Sequence, residues 1–354
     1  MSAPPPLIGG LRRRRSRRPW AAAAALALAA LVALALAVGL PGRSSHHAPA
    51  RARAATALHA ASPPAPARSP IGLPLGTPPL QLRGIGAPAG DALSLRFRKP
   101  PRAGLLFNLD TGAVLWQRNP LARLRIASLD KMMTALLTVQ AEPPNARVRV
   151  TRQAVDAAGS KVGVLPLGRH VRVESMLYGL LLPSGNDAAV ALAQRVSGSV
   201  SAFVARMNAK AAQLGLRCTR YSSPSGYLDQ GNFSCAADLA VLAHEDLAQP
   251  RLARVARSRS AVLAFPIKGG RLFLYNNNPL LIYRYPGLTG LKTGYTEASG
   301  RCLVATAQRR GVRLGVVLLH SPDPATQAHK LLDLGFERIY HQRAVAEQPV
   351  PAGA

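Results

Sequence analysis

The sequence has few acidic residues, few aromatic residues and little cysteine. Its 16 aspartates and glutamates stand against 45 lysines and arginines, which gives a formal net charge of +29 at pH 7. An excess of this size favours polyanions such as nucleic acid, anionic lipid or an anionic cell-wall polymer, and does not choose among them. Aromatic residues make up only 5% of the chain, and it has no zinc-finger spacing or RNA-binding motif. We therefore expect no nucleic-acid partner.

The thiol complement consists of Cys218, Cys235 and Cys302. No pair has Cys-x-x-Cys spacing and the chain has no His-Glu-x-x-His, so we expect neither a metal site nor another cofactor. If the body of the chain is exported, Cys218 and Cys235 are able to form a disulfide. The alternative, which we prefer on the sequence, is three buried thiols.

The N-terminal region combines a dense arginine cluster at 12–18 with an uncharged stretch at 20–40. Such a stretch is long enough to cross a bilayer core of about 30 Å as a helix. The arginines would hold residues 1–19 in the cytoplasm and place the rest of the chain outside. A cleaved signal peptide is the alternative, but its apolar region usually has only about 7–15 residues. We expect an uncleaved membrane anchor, and both interpretations export the body.

Residues 41–100 are rich in Pro, Ala, Gly and Arg and show little apolar periodicity. This composition predicts a disordered tether. A folded domain is expected over 101–342, followed by a disordered tail over 343–354.

Within the domain, apolar patterns predict strands near both ends and helices between them. The strands are expected over 104–109, 113–117, 301–308 and 313–320, and the helices over 128–140, 171–195 (interrupted at 183–186), 200–214, 236–248 and 325–340. This order indicates an α+β domain whose antiparallel sheet is built from both ends of the chain.

The first candidate site is Ser128-Leu129-Asp130-Lys131. Positions i and i+3 share one helix face, so the serine hydroxyl and the lysine amine are able to share a hydrogen bond. A serine hydroxyl needs a base, and a lysine serves only when burial or a neighbouring cation lowers its pKa. A capping serine followed by a solvated lysine is the structural alternative, and it is favoured for this motif taken alone.

Two further motifs follow along the chain. Ser184 and Asn186 lie on a turn between apolar helical segments, where they are able to pass a proton and to hold a substrate amide or the lysine. Lys292, Thr293 and Gly294, followed by Tyr295, lie at the entry of a strand. The cation and the hydroxyl there are able to hold a carboxylate, and the glycine lets the substrate backbone lie close. Taken alone, the Ser184–Asn186 motif is typical of an ordinary helix start, and the Lys292–Gly294 motif of an ordinary strand entry.

The three motifs together are much more specific than any one of them. Ser-x-x-Lys, Ser-x-Asn and Lys-Thr-Gly in this order are the signature of penicillin-binding proteins and class A β-lactamases. The segments around them resemble the low-molecular-mass D-alanyl-D-alanine carboxypeptidases, the serine peptidases of penicillin-binding protein 5 type, over about 103–340. The similar segments are IASLDKMMTALL at 126–137, YGLLLPSGNDAAVALA at 178–193, YSSPSGYLDQGNFSCAADLAVLA at 221–243, NNNPLL at 276–281 and KTGYTEASGRCLVA at 292–305.

The resemblance implies a fold and a role for each residue of the site. The fold is a five-stranded antiparallel sheet flanked by helices, with a helical subdomain. The resemblance makes Ser128 the acyl acceptor, Lys131 the general base, and Ser184 and Asn186 the proton relay and substrate guide. It assigns Lys292 and Thr293 to the terminal carboxylate, and the N–H groups of Ser128 and Tyr295 to the oxyanion hole. Stem peptides ending in D-Ala-D-Ala and β-lactams are the expected partners.

Other functions remain open on the sequence. A DD-endopeptidase would use the same residues. A catalytically inactive protein that only binds the cell wall would not need all of them. A β-lactamase is disfavoured because no Glu-x-x-x-Asn lies between the second motif and the strand. Asp130 stands where the family often has threonine. We expect it to point away from Lys131, since adjacent helical positions face different ways.

Overall fold

The computed structural model describes residues 67–86, 93–227 and 230–346. The predicted segments 1–19 and 20–40, residues 41–66 and 87–92 of the predicted tether, and residues 347–354 of the predicted tail lie outside this part. Residues 343–346 of the predicted tail continue the last helix.

Nine strands occur among the described residues. They are β1 (Ala103–Asn108), β2 (Val114–Arg118), β3 (Arg147–Arg149), β4 (His170–Arg172), β5 (Ser260–Ala264), β6 (Arg271–Tyr275), β7 (Leu288–Thr296), β8 (Gly300–Arg309) and β9 (Val312–Ser321). Five of them form an antiparallel sheet in the order β2-β1-β9-β8-β7. Strands β3 and β4 pair separately, as do β5 and β6.

The helices of the same residues are α1 (Lys131–Ala141), α2 (Arg152–Val155), α3 (Val173–Leu181), α4 (Asn186–Ser197), α5 (Val200–Gln213), α6 (Ala236–Ala248), α7 (Pro250–Ala256), α8 (Pro279–Ile282) and α9 (Pro324–Ala346). In this part of the chain, no single helix has the length and hydropathy to span a bilayer; α4 and α5 reach them only as a pair, bent by 83°.

The predicted α+β architecture is confirmed, with a sheet whose strands come from both ends of the domain. The first strand, β1, lies beside the last, β9, with Ala103 opposite Leu319. The turn from β8 to β9 consists of Arg310 and Gly311, both with positive φ. Two such residues match the right-handed twist of the flanking strands, so this short turn aligns them directly.

Hydrophobic side chains cover both faces of the sheet. On one face Leu105 and Val317 join a core that continues through helices α1, α3, α4 and α6. On the other face Leu318 and Phe336 belong to a smaller core under α9. Because β8 and β9 are covered on both sides, their central residues read as continuous apolar runs.

The folded part begins earlier than the boundary expected near residue 100. Leu80 is buried against the core, and the N–H of Gly76 donates to the carbonyl of Ala212 at 2.8 Å. Farther along, the N–H of Leu93 donates to the carbonyl of Leu115 at 2.7 Å. Sequence periodicity misses these contacts because the extended segment is held largely through its backbone, which carries no side-chain pattern.

Cys218 and Cys235 are joined by a disulfide, with Cα atoms 5.6 Å apart. The preference for three free thiols is therefore wrong for this pair, and Cys302 is a free, buried thiol. The cause is an antiparallel bridge between Arg220 and Phe233. Extending its register by two residues on each side brings positions 218 and 235 opposite each other.

Candidate active site

Ser128 lies in a 3-10 turn, Ala127–Asp130, that leads directly into α1. The helix expected to begin at the serine begins at Lys131 instead. Ala127 has a φ of 48°, a left-handed conformation that L residues rarely adopt and that reverses the chain just before the serine. The partly exposed serine is thus presented at the tip of a tight turn above a fully buried helix start.

The amine of Lys131 is fully buried and has three polar neighbours. Its Nζ lies 2.9 Å from Ser128 Oγ, 2.7 Å from Asn186 Oδ1 and 2.7 Å from the carbonyl oxygen of Ser225. An amide oxygen and a backbone carbonyl are acceptors only, so they take two N–H donors. A neutral amine has two N–H groups and one lone pair, and its lone pair is then left for the serine O–H.

The pKa of Lys131 is lowered well below its usual value, mainly by burial and next by the charge of Lys292. Asp130 and Asp187 act in the opposite direction, but more weakly. Burial in a low-dielectric interior disfavours the charged ammonium, and a nearby cation adds to that effect. The environment therefore favours the neutral amine that a general base requires.

Asp130 influences Lys131 through its charge. It is fully buried, and its charge raises the pKa of Lys131. Adjacent positions of a helix face different ways, but a Coulombic effect between buried groups does not need direct contact. The acid does act on the lysine, although burial and Lys292 outweigh it.

The second motif lies between α3 and α4. Ser184 adopts a φ of 68° and its hydroxyl is buried without a hydrogen-bond partner among the described residues. The N–H of Asn186 donates to the carbonyl of Ser160 at 2.7 Å, and its side-chain Nδ2 donates to the carbonyl of Ala158 at 2.5 Å. The side-chain amide is thereby oriented with Oδ1 toward Lys131.

Asp187 was not singled out from the sequence, yet it fixes one wall of the site. Its carboxylate accepts from the N–H groups of Val162, at 2.9 Å, and Gly163, at 3.0 Å. These bonds hold the segment 158–163 that contacts Asn186. The residue is buried at the start of α4, where acids and N-terminal N–H groups stabilise each other.

The third motif lies along β7 rather than at its entry. Lys292 is buried, its Nζ donates to the carbonyl of Thr293 at 2.8 Å, and burial lowers its pKa to about 7. Gly294 faces the reactive turn: a Cβ at this position would lie 2.8 Å from the carbonyl oxygen of Ile126 and 3.3 Å from the N atom of Ser128. Only glycine allows the strand and the turn to approach so closely.

The motifs meet in a cleft of roughly 310 Å³. Ser128, Ser184, Thr293, Gly294 and Tyr295 all line it, while Lys131, Asn186 and Lys292 stand behind them, buried. The structure thus brings together every residue that the sequence selected. The cleft is completed by Ser160, Asn277, Pro279, Arg301, Cys302 and Pro324, which sequence reasoning did not select for the site.

Two of these additional residues can be related to the motifs found in the sequence. Asn277 belongs to the run 276–278, and its side chain donates to the carbonyl of Pro183 at 3.2 Å, beside the second motif. Arg301 is an exposed cation at the start of β8, directly opposite Tyr295 in the sheet. The arrangement has a hydroxyl next to a neutral amine, with cations at one end, and it suits acyl transfer from an anionic substrate.

Comparisons with known proteins agree with this geometry. A family model described as D-alanyl-D-alanine carboxypeptidase matches residues 101–323. The chain is 35% identical over 245 residues to the D-alanyl-D-alanine carboxypeptidase DacF of Bacillus subtilis, covering 67% of this chain and 62% of that protein. It is 33% identical over 258 residues to a D-alanyl-D-alanine endopeptidase of Pseudomonas aeruginosa, covering 67% of this chain and 82% of that protein.

Solved structures show the same fold. A serine-to-alanine mutant of the Streptomyces K15 DD-transpeptidase matches with a TM-score of 0.64 and 28% identity, covering 68% of this chain and all of that one. The chain spans less than two thirds of the length of DacF, so the shared part is the domain described above.

Proposed function

The chain belongs to the D-alanyl-D-alanine carboxypeptidase family, and from that premise we propose that it removes the terminal D-alanine from peptidoglycan stem peptides through an acyl-enzyme on Ser128. The observation that carries this proposal is the hydrogen-bond set of Lys131. Its amine is buried, its pKa is lowered, and Asn186 and Ser225 occupy its two donors, so its lone pair is available to Ser128.

Acylation follows from this geometry. The amine of Lys131 takes the proton of Ser128 Oγ while Oγ attacks the carbonyl carbon of the penultimate D-alanine. The N–H groups of Ser128 and Tyr295 donate to the oxyanion that develops. The C–N bond then breaks, and the leaving amine receives a proton from Lys131 through the hydroxyl of Ser184, which is buried and makes no hydrogen bond among the described residues.

Deacylation uses the same groups in reverse. Water takes the place of the departed D-alanine and gives a proton to Lys131 as its oxygen attacks the ester carbonyl. The Ser128 Oγ–carbon bond breaks, the proton returns to Oγ, and the shortened peptide leaves. β-Lactams mimic the scissile amide, and we expect them to acylate Ser128 in the same way.

The terminal carboxylate of the substrate is assigned to the cationic end of the cleft. Thr293 and Gly294 line that end, and Lys292 lies beneath it. A carboxylate bound there would restore the charge of Lys292, because a nearby anion favours the protonated amine.

A DD-endopeptidase acting on peptide cross-links is the second candidate. Its support is the similarity to the P. aeruginosa protein named as a D-alanyl-D-alanine endopeptidase. The two reactions differ in the leaving group, which is free D-alanine in one and a second stem peptide in the other. A catalytically inactive wall-binding protein has less support because the complete base and nucleophile pair is assembled.

We also propose that the domain works outside the cytoplasm, held to the membrane by residues 20–40. The uncharged composition of that stretch and the preceding arginines support an anchor, with a cleaved signal peptide as the alternative. The disulfide between Cys218 and Cys235 supports an oxidising compartment.

The test is to incubate the full chain with a labelled penicillin and to locate the adduct by peptide mass analysis. We expect one stable acyl group on Ser128, and none in Ser128→Ala. A folded wild-type chain without an adduct would refute the proposal, and rapid turnover of the penicillin would indicate a β-lactamase instead. Release of D-alanine from a pentapeptide, measured beside cleavage of a cross-linked dimer, then separates carboxypeptidase from endopeptidase.

A further inference from the structure

The β5–β6 hairpin has an outer face that is unusually apolar for an exposed surface. Val262 on β5 and Phe273 on β6 stand directly opposite each other and are 57% and 59% exposed, and Tyr275 is 70% exposed. Alternation along the strands turns Leu272 and Leu274 inward, where they are buried in the main core. The hairpin is thus fixed to the domain by one face and presents the other to the surroundings.

Helix α8 extends this exposed area. Ile282 is 61% exposed and Tyr283, which caps the helix, is 75% exposed. The guanidinium Nε of Arg259 donates to the carbonyl of Leu281 at 3.1 Å and holds the end of α8 beside the base of the hairpin. We call the exposed Val262, Phe273, Tyr275, Ile282 and Tyr283 together the hairpin surface.

The chain segments that form the hairpin surface carry cations and no acids. Between Pro250 and Thr296 the sequence contains no aspartate or glutamate. Five cations within or next to these segments in the chain are exposed and take part in no salt bridge with a described acid: Arg257, Arg259, Lys268, Arg271 and Arg284. Exposed apolar and aromatic side chains interleaved with such cations are typical of segments that lie in the headgroup region of a bilayer.

We propose that the hairpin surface docks on the headgroup region of an anionic lipid bilayer. Charge complementarity selects this occupant: five exposed cations flank the apolar side chains, and each Lys or Arg near an anionic bilayer surface contributes about 1 kcal/mol of attraction. Tyrosine is favoured at membrane interfaces because its ring is apolar and its hydroxyl is polar. The uncharged stretch at 20–40 of the same chain independently predicts that the domain is held near a bilayer.

Docking has a consequence for the cleft, and this part rests on the proposed function. Asn277 and Pro279 line the cleft and lie between Tyr275 and Ile282 in the chain. A bilayer contact through the hairpin surface therefore places the mouth of the cleft beside the lipid headgroups. In that position the enzyme favours D-Ala-D-Ala peptides attached to lipid over the same peptides free in solution.

The test uses the full chain with a fluorescent label on Phe273→Cys, reconstituted into vesicles that contain a headgroup nitroxide lipid. Cys302 is buried and the other two cysteines are paired, so wild type provides an unlabelled control. We expect quenching with phosphatidylglycerol-containing vesicles and much less with phosphatidylcholine alone. Lys268→Gln with Arg271→Gln lowers the ratio of docked to undocked chain about fivefold for each cation removed.

A kinetic comparison completes the test. The variant Val262→Ser/Phe273→Ser/Tyr283→Ser is expected to lose the preference for a lipid-coupled D-Ala-D-Ala peptide and to keep its rate on the soluble peptide. The matched control Ile71→Ser/Leu73→Ser/Leu121→Ser, which alters exposed apolar residues elsewhere, keeps both rates. A chain that is quenched but hydrolyses no peptide retains the docking surface and refutes the proposed function.

Two results would overturn the docking proposal. One is equal quenching in anionic and neutral vesicles, and the other is quenching that Lys268→Gln with Arg271→Gln leaves unchanged. Protection of the label by soluble glycan fragments, with no response to vesicles, would also overturn it and assign the hairpin surface to wall polysaccharide.

Discussion

After burial, the charge of Lys292 is the strongest influence lowering the pKa of Lys131. The two lysines come from different parts of the fold, α1 and β7, and both are buried. Each has a pKa below the usual value, that of Lys292 at about 7. The residue that we assign to the substrate carboxylate is thus also part of the environment that favours the neutral amine of Lys131.

Replacing Lys292 by glutamine should therefore change the pH profile as well as the rate. Acylation needs neutral Lys131, so the rate rises with pH as this amine loses its proton. Removing the neighbouring cation raises the pKa of Lys131 and moves the acid limb of the profile to higher pH. The measurement is the rate of penicillin acylation against pH, normalised to each variant's maximum. A limb that does not move would contradict the electrostatic role.

Asp130→Asn should move the same limb in the opposite direction. The carboxylate raises the pKa of Lys131, so its neutral replacement lowers that pKa and extends activity to lower pH. The shift should be smaller than that of Lys292→Gln, because Asp130 is the weaker influence. Asp110→Asn, which removes a partly exposed acid paired with Arg313, is the control and should leave the profile in place.

The disulfide should contribute to stability without contributing to catalysis. Cys218 and Cys235 are 17 residues apart, and closing a loop of this size stabilises a fold by about 3 kcal/mol. Cys218→Ala/Cys235→Ala should lower the free energy of unfolding in urea by about that amount, and acylation of Ser128 should persist. A reducing agent should lower the free energy of unfolding of the wild type and leave that of the double variant unchanged. If the reducing agent destabilised both proteins equally, the disulfide would not be the source of the stability.

Gly294→Ala should impair acylation more than its small size suggests. The added methyl group would meet the carbonyl of Ile126 and the N atom of Ser128, so β7 and the reactive turn must separate. A displacement approaching 1 Å at a reacting group lowers the rate about a hundredfold. Tyr295→Phe, which keeps the backbone N–H, should retain most of the rate. The comparison is made by stopped-flow acylation with a chromogenic cephalosporin.

Much of this architecture can be predicted from the sequence because it rests on local patterns. Helix α6 begins at Ala236 and ends at Ala248, the predicted bounds, since a continuous apolar periodicity meets clear breaks on both sides. The Ser-x-x-Lys spacing likewise predicts the contact of Ser128 with Lys131, which needs only one turn of chain.

The remaining features depend on contacts between distant positions. The carbonyl of Ser225 that binds Lys131 is a backbone atom 94 residues away, and backbone atoms leave no mark in the sequence. The β5–β6 hairpin escapes detection because Val262, Phe273 and Tyr275 occupy positions where strand alternation leads one to expect polar residues. The exposed apolar side chains that prevent prediction of the hairpin are also the reason to propose its outer face as a docking surface.

The pairing of β1 with β9 also determines when this protein becomes able to react. While the chain is still being synthesised and Leu319 has not yet left the ribosome, Ala103 has no partner strand. The central strand of the sheet, β9, is then missing. Contacts of such long sequence separation form late and slowly during folding. Strand β7, to which we assign the carboxylate end of the cleft, is joined to β1 only through β8 and β9. Ser128 is synthesised early, but the role of nucleophile that we propose for it requires almost the whole domain.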